Sequence, residues 1–313
     1  MQQAVIGIDI GGTNIKAGVV TLKGEVIFAL TTPTYSANGK AALLNKIEET
    51  AKMCLQEAIS SNLHITAIGI GTAGFINLQG EIGSATANLP DWKGTPLRAE
   101  IEKRIGVSVF VDNDVNVLAL GELWKGAGKD LDHFLCVSLG TGIGGCLILN
   151  GLPYQGRSGY AGAYGHQVIQ MKGVPCTCGS AGCWEQYASV TALKRQAAEA
   201  EEKAWADQPR LIFDEARAGN TKAQGLVQQY TEYIAVGLSN LIHHFNPPAV
   251  IIGGAVTEQG DILFDPIRTY IHEFTMDGFA NHPDLPILPA GLGNRAGIIG
   301  AAKLAIARSD AQL

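Results

Sequence analysis

Apolar runs separated by glycine turns open the chain. "AVIGIDI", "IKAGVVTL" and "EVIFALTT" follow one another, with "GG" and "KG" between them. Strands joined by such short turns are typical of an antiparallel meander. The pattern then changes to helical spacing. This helix stripe consists of Leu43, Leu44, Ile47, Ala51, Cys54, Leu55, Ala58 and Ile59.

The same plan returns about 130 residues later, in "FLCVSLGTGIGGCLILNGLPY". It repeats the apolar strand, glycine–threonine turn, second strand and tight turn of "VIGIDIGGTNIKAGVVTLKGEVI". A module found twice predicts a duplicated α/β fold, with two lobes around a cleft where a ligand binds. The back half is more helical, and "TKAQGLVQQYTEYIAVGLSNLIHHF" predicts one helix that ends before "NPP".

Composition excludes several classes of protein. The chain has 313 residues, of which 46% are hydrophobic and 17% charged, so it is not disordered and can bury a substantial core. A net charge of −6 without a basic run argues against a nucleic-acid partner. No signal peptide pattern opens the chain, and no apolar window approaches the length of a membrane span. We therefore expect a cytoplasmic protein without a membrane partner.

Six cysteines raise the question of their chemistry. A cytoplasmic location disfavours disulfides. Cys54, Cys136 and Cys146 lie in apolar surroundings and are predicted to be small core residues. The other three cluster in "HQVIQMKGVPCTCGSAGCWEQY", where a redox C-x-x-C pair is absent.

Two glycine turns are candidates for phosphate binding. "GTGIGG" satisfies the G-x-G-x-x-G pattern, but an apolar strand follows it where a dinucleotide fingerprint needs a helix. The matching turns "GGT" and "GTG" could instead direct backbone N–H groups at phosphate oxygens, or could be tight hairpins only. Asp9, in the middle of a strand, is placed to hold Mg²⁺, and Lys16 offers a charge for phosphate. Gly253 and Gly254 could let the backbone approach a nucleoside.

Three polar residues, Asp112, Asn113 and Asp114, end the strand "VFV". One of them is expected to cap the helix that follows. A carboxylate beside an amide can also accept the proton of a sugar hydroxyl while the amide orients the ring.

Together these segments resemble the ROK family (repressors, open reading frames and sugar kinases), which has the actin/hexokinase-like, ribonuclease H-like ATPase fold. "DIGGTNIKAG" and "LGTGIGG" resemble its two phosphate motifs, "NDVN" its catalytic segment, "ANLPDWKGTPL" its sugar loop and "VIIGGAV" its adenosine-side strand. The resemblance implies an ATP-dependent sugar kinase with Asp114 as general base on a hexose hydroxyl, O6. It implies lobes of residues 1–118 plus 300–313 and 119–299.

The resemblance also implies the binding residues. Mg²⁺ would lie near Asp9, and sugar contacts would come from Gly74, Asn88, Asn113, Asp114, His166 and Glu185. ATP contacts would come from Asp9, Gly11, Gly12, Thr13, Asn14, Lys16, Gly140, Thr141, Gly142, Gly253 and Gly254.

"GHQ…CTCGSAGCWEQ" matches the zinc motif of the family. His166, Cys176, Cys178 and Cys183 are therefore expected to hold a structural zinc ion, with one nitrogen and three thiolates. In the family this ion fixes the loop that presents the histidine and Glu185 to the sugar. A catalytic cysteine fits this pattern poorly.

One departure concerns specificity. The family reads Gly-Glu-x-Gly-His before these cysteines, whereas this chain has Ala163 at the glutamate position. The missing carboxylate has three possible explanations. The substrate is a sugar modified near C1 or C2 (a β-glucoside or N-acetylhexosamine), another residue compensates, or the protein binds a plain hexose with a modest loss of affinity.

Two other classes remain open. The repressors of the family carry a winged helix before the ATPase lobe, but this chain reaches its first phosphate strand by residue 4. A non-catalytic sugar-binding or sugar-sensing protein would not need the Mg²⁺ carboxylate. The family also leads us to expect a homodimer or a dimer of dimers.

Overall fold

The computed structural model describes residues 1–85, 89–280 and 285–310, and it divides into two compact units. The first unit consists of Met1–Asp132, Ile148–Ala161 and Gly291–Leu313. The second consists of His133–Leu147 and Gly162–Ala290. The two lobes predicted from the sequence, with their boundaries, stay a prediction. Each unit is described by itself below.

The strands follow the apolar runs of the sequence. They are β1 (Gln2–Ile10), β2 (Asn14–Thr21), β3 (Val26–Pro33), β4 (Leu63–Thr72), β5 (Phe75–Ile76), β6 (Ile82–Ser84), β7 (Val109–Asn113), β8 (Phe134–Leu139), β9 (Ile143–Leu149), β10 (Leu152–Pro153), β11 (Val250–Gly253) and β12 (Ile287–Pro289).

Helices fill most of the segments between them. They are α1 (Gly39–Ser60), α2 (Leu97–Ile105), α3 (Asp114–Lys125), α4 (Glu185–Ala188), α5 (Val190–Glu199), α6 (Lys203–Asp207), α7 (Arg210–Arg217), α8 (Thr221–Phe245), α9 (Asp261–Phe274), α10 (Asp277–Ala280) and α11 (Ala296–Asp310).

The first unit contains a five-stranded sheet in the order β3-β2-β1-β4-β7. The predicted meander is confirmed, because β2 pairs antiparallel with both β1 and β3. β4 then pairs parallel with β1, and β7 pairs parallel with β4. Parallel strands end at the same edge of a sheet, so β1, β4 and β7 present Ile10, Thr72 and Asn113 together.

Helices cover both faces of this sheet. One core contains Ile6 and Ile8 of β1 with Leu43 and Ile47 of α1. The other contains Val5 of β1 with side chains of α3 and α11. Glycines let α11 approach the sheet closely, since a Cβ atom on Gly7 or Gly69 would collide with its backbone. The buried faces on both sides explain why β1 is apolar almost throughout.

The second unit repeats the arrangement with strands in the order β9-β8-β11-β12. β11 pairs parallel with β8 and with β12. Its core joins β8 and β11 to α8, where Trp184 is fully buried and donates through Nε1 to Tyr233 O at 2.7 Å. The predicted duplicated α/β fold is confirmed.

Several smaller predictions are also confirmed. "GTGIGG" is followed by strand β9 and not by a helix, and "TKAQ…HHF" is a single helix, α8. Cys54, Cys136 and Cys146 are buried in the core. Among the described residues, no helix combines the length and the apolar character that a membrane span requires.

Candidate active site

The first glycine turn joins β1 to β2 in the first unit. Its carbonyl groups are occupied, since Thr34 Oγ1 donates to Gly11 O at 2.8 Å and Ser36 Oγ donates to Gly12 O at 3.2 Å. The N–H groups of Gly12 and Thr13 have no acceptor among the described residues. A turn whose carbonyl oxygens already accept hydrogen bonds and whose N–H groups are free can bind an anion such as phosphate.

Thr13 and Asn14 complete this turn with exposed side chains. A hydroxyl and an amide at such a position can each donate to a phosphate oxygen. Gly11 N donates to Asn14 O at 2.9 Å, which closes the turn on itself.

Asp9 lies on β1 directly before this turn, opposite Lys16 of β2. Burial raises the pKa of Asp9, and the positive charge of Lys16 opposes that rise. Lys16 Nζ donates to Asn294 Oδ1 at 3.0 Å. A Cβ atom on Gly297 would collide with the Asp9 carboxylate, so α11 fixes the position of this acid. A carboxylate held beside a turn with free N–H groups has the oxygen chemistry that Mg²⁺ prefers.

The end of β7 and the start of α3 form the second feature of this unit, which we call the Asn113–Asp114 turn. Asn113 is the capping residue, because its Oδ1 accepts from Val115 N at 2.8 Å. Its Nδ2 donates to Gly74 O at 2.7 Å. Gly74 has a φ of 110°, and a Cβ atom there would collide with Ser84 O. The turn is therefore tied to the backbone between β4 and β5.

Asp114 is the first residue of α3, and its Oδ1 accepts from Val115 N at 3.0 Å. Burial raises the pKa of Asp114 to about 6, with the negative charge of Asp9 adding to the rise. Hydrogen bonds from the backbone and from Asn113 act in the opposite direction. A carboxyl with a pKa close to neutral pH can accept a proton and is still ionised at pH 7.

The second glycine turn joins β8 to β9 in the second unit and has the same construction. Val190 N donates to Gly140 O at 2.9 Å, and Thr191 Oγ1 donates to Thr141 O at 2.7 Å. The N–H groups of Thr141 and Gly142 have no acceptor within the part of the chain that the structure describes. The duplicated sequence has thus produced two turns with the same free donors.

Gly253 and Gly254 lie next to the second turn. Gly253 pairs with Ser138 in the sheet, and a Cβ atom on Gly254 would collide with Leu139 O. Gly254 has a φ of 104°, which a side chain would strain. The structure therefore brings the predicted adenosine-side glycines beside the predicted phosphate turn within this unit.

Four predicted metal ligands come together in the second unit. The ligand atoms of His166, Cys176, Cys178 and Cys183 all lie within 4.8 Å of one another. Cys176 Sγ lies 3.7 Å from His166 Nδ1, and Cys178 Sγ lies 3.6 Å from Cys183 Sγ. Ligands about 2.3 Å from a tetrahedral zinc ion lie about 3.8 Å apart. The donor set and its spacing fit a structural zinc ion.

Glu185 connects this cluster to the second turn. It begins α4, and its Oε1 lies 3.6 Å from His166 Nδ1 and 3.3 Å from Cys176 Sγ. Its Oε2 lies so close to Gly142 that a Cβ atom there would be 2.8 Å away. With Nδ1 turned to the cluster, His166 has Nε2 left for other contacts.

Some residues that shape these sites could not be predicted. The buried Glu122 of α3 accepts from Ala127 N and Gly291 N, both at 2.8 Å, and from Leu292 N at 3.0 Å. It thereby fixes the segment that leads into α11. A carboxylate within an apolar helix was the only signal in the sequence. Asn88, predicted to bind sugar, lies outside the described residues.

Comparison with known proteins accounts for this combination. The model of the ROK family matches residues 5–308 of the chain. The chain belongs to the ROK family. A ROK family glucokinase from Streptomyces griseus, solved in complex with glucose and AMPPNP, superposes with a TM-score of 0.82 and 35% identity. The match covers 97% of this chain and 99% of that one.

Relatives within the ROK family include proteins named as glucokinases and proteins named as repressors. A glucokinase from Thermotoga maritima is 36% identical over 315 residues, which cover 96% of both chains. A xylose repressor from Bacillus subtilis is 30% identical over 302 residues, which cover 96% of this chain and 76% of the repressor. The match thus covers nearly the full length of the kinase and about three quarters of the length of the repressor.

Proposed function

We propose that this ROK protein transfers the γ-phosphoryl group of ATP to O6 of a hexose or hexose derivative, with Asp114 as the general base. The observation that carries the proposal concerns Asp114, the first residue of α3. The pKa of its carboxyl is raised to about 6. Phosphoryl transfer requires mainly positioning and charge neutralisation.

The enzyme class is the coarser part of this assignment. The chain is a sugar kinase of the ROK family, because glucokinases match it at 34–36% identity over 92–96% of their own length. ATP and Mg²⁺ are the cofactors of this class, in agreement with the AMPPNP-bound relative.

Asp114 is the residue that acts on the sugar in this proposal. Its ionised carboxylate accepts the hydroxyl proton as the oxygen attacks the γ-phosphorus, and the bond to the β–γ bridging oxygen breaks. Asn113 fixes the backbone around the base, because its Oδ1 caps α3 and its Nδ2 donates a hydrogen bond to Gly74 O. Sugar contacts from Gly74, Asn88, Asn113, His166 and Glu185 stay part of the proposal.

The two glycine turns and the two charged residues of β1 and β2 serve the nucleotide. The free N–H groups of Gly12, Thr13, Thr141 and Gly142 support phosphate binding. Mg²⁺, when bound, neutralises developing phosphate charge, and Asp9 is the residue that would hold it. Lys16 adds a positive charge near this carboxylate.

The Cys₃His cluster has a structural role in this proposal. His166, Cys176, Cys178 and Cys183 would hold the zinc ion and keep Glu185 against Gly142. A zinc ion with four protein ligands has no open position for chemistry. The ion would act through the stability of the loop.

Ala163 leaves the sugar class open between two forms. It stands directly before the short helix Tyr164–His166, which leads into the cluster. A methyl group there supplies no acceptor for a sugar hydroxyl, which favours a substrate with a substituent near C1 or C2. A plain hexose would bind with a modest loss of affinity.

A non-catalytic sugar-sensing protein is the second candidate, favoured by the repressor relatives. The Asp114 carboxyl and the two phosphate turns argue for the kinase, because sensing alone needs no base. A homodimer or dimer of dimers and a cytoplasmic location also stay predictions.

The test measures ADP release with Mg-ATP and a panel of free hexoses, N-acetylhexosamines and β-glucosides, with Asp114→Asn as the control. Turnover of glucose would identify a hexokinase that tolerates Ala163. Turnover of modified sugars alone would identify Ala163 as the specificity determinant. No sugar-dependent ADP from the unmodified protein would favour the sensor.

A further inference from the structure

A buried carboxylate lies beside the proposed base. Asp112 of β7 is 2% exposed, although it precedes Asp114 by only two residues. Its Oδ1 accepts from Asn113 N and from Asn116 Nδ2, both at 2.8 Å. Asn116 lies in the first turn of α3, so the carboxylate of Asp112 binds the chain on both sides of Asp114.

The second oxygen of Asp112 is held from a distant part of the sequence. Gln155 Nε2 donates to Asp112 Oδ2 at 3.1 Å. Gln155 Oε1 in turn accepts from Arg308 Nη2 of α11 at 2.6 Å. Gln155 is itself fixed in its segment, since its carbonyl oxygen accepts from Gly159 N and Ala161 N. The result is a directed chain of hydrogen bonds from Arg308 to the Asn113–Asp114 turn.

The direction of each hydrogen bond is determined by the chemistry of the groups. An arginine only donates, so the glutamine must present Oε1 to Arg308 and Nε2 to Asp112. An ionised carboxylate only accepts, which suits all three of its partners. Gln155 and Arg308 also line a polar cavity of about 230 Å³, so these groups are not simply filling an apolar core.

We propose that Asp112 and Gln155 are positioning residues, which hold the Asn113–Asp114 turn in the geometry that the general base requires. The inference rests on the proposed function of Asp114. Small displacements of a base reduce turnover strongly while leaving substrate binding nearly unchanged, because binding depends on other contacts.

Two substitutions test this, together with their combination. In Asp112→Asn, the new side-chain NH₂ group faces Nε2 of Gln155, so two donors oppose each other. In Gln155→Glu, the carboxylates at positions 112 and 155 oppose each other. The double variant exchanges the two groups: the amide at position 112 donates to the carboxylate at position 155, which still accepts from Arg308. We expect each single variant to lower kcat about tenfold, with the KM values for sugar and ATP changed less than about threefold. The double variant should regain kcat to within about threefold of the unmodified protein.

Controls separate positioning from folding and from the proposed base. Gln56→Glu makes the same chemical change at an exposed position of α1, and all variants are assayed well below their measured Tm. The inference is overturned if the single variants keep kcat within twofold, or if the double variant is no better than the worse single one. If Asp114→Asn abolishes turnover in that case, the base stands and only the positioning role fails. If Asp114→Asn keeps full turnover, the proposed base fails and the inference with it.

Discussion

Asp114 combines two properties that normally oppose each other. Burial raises its pKa to about 6, yet hydrogen bonds from the start of α3 still favour its ionised form. The neighbouring Asp9 contributes to the rise through its negative charge. The protein thus maintains an acid that is destabilising when ionised, which is typical of a functional residue.

The stability of the protein should therefore depend on this acid. Because the folded pKa of about 6 exceeds the unfolded value of 3.8, the contribution of Asp114 to stability is greatest below pH 3.8 and is lost as the pH rises through 6. Asp114→Asn removes this cost, and we expect it to raise the free energy of unfolding by up to about 3 kcal/mol at pH 8. Urea unfolding at pH 4 and pH 8 checks this, and an equal effect at both pH values would contradict it.

The pH dependence of turnover follows from the same pKa. A base must be ionised to accept a proton, so kcat/KM for the sugar should fall about tenfold per pH unit below about pH 6. We expect a plateau from there to pH 8. Rates of the unmodified protein at saturating Mg-ATP measure this, and a flat profile between pH 5 and 8 would exclude Asp114 as the base.

At the scale of elements, helix α11 connects the strand that carries Asp9 to the rest of the first unit. It packs on β1 and β4, and its first turn leaves no room for a side chain beside Asp9. Glu122 of α3 holds the segment before it by accepting from Gly291 N and Leu292 N. Helices α3 and α11 thus together fix the carboxylate of Asp9 on β1.

Gly297→Ala tests this packing. The added methyl group would collide with the Asp9 carboxylate, so we expect the KM for Mg-ATP to rise about tenfold or more. Gly225→Ala in α8 is the matched control, because its Cβ meets nothing within 4 Å and should stabilise the protein by about 0.5–1 kcal/mol. An unchanged KM for Mg-ATP in Gly297→Ala would contradict the proposed role of Asp9.

The Cys₃His cluster should contribute to stability through its metal. Cys178→Ser removes one thiolate, and we expect less than one zinc ion per chain, a lower Tm and reduced turnover. Cys54→Ala serves as the control, because it perturbs a buried cysteine outside the cluster. The number of zinc ions per chain, measured by mass spectrometry, tests whether Cys178 is a ligand. Full zinc content in Cys178→Ser would show that this cysteine is not a ligand.

At the scale of the whole molecule, the sequence predicts the local structure well. The strands, α8 and the duplicated hairpins follow directly from hydrophobic periodicity, and the Cys₃His residues do come together in the structure. Long-range contacts were not predictable. Gln155 lies 43 residues from Asp112, and Glu122 lies 169 residues from Gly291, so no local pattern indicates these pairs. Such contacts depend on how the strands and helices are arranged in three dimensions, which hydrophobic periodicity does not encode.

We propose that this ROK protein phosphorylates a hexose at O6 with Asp114 as its base. The most direct measurement is ³¹P NMR of the products formed from Mg-ATP and glucose, or the best sugar of the panel, by the unmodified protein and by Asp114→Asn. We predict a phosphomonoester resonance coupled to the two C6 protons with the unmodified protein, at least about a thousandfold slower with Asp114→Asn. A phosphomonoester on another carbon, equal rates for the two proteins, or no sugar phosphate at all would contradict the account.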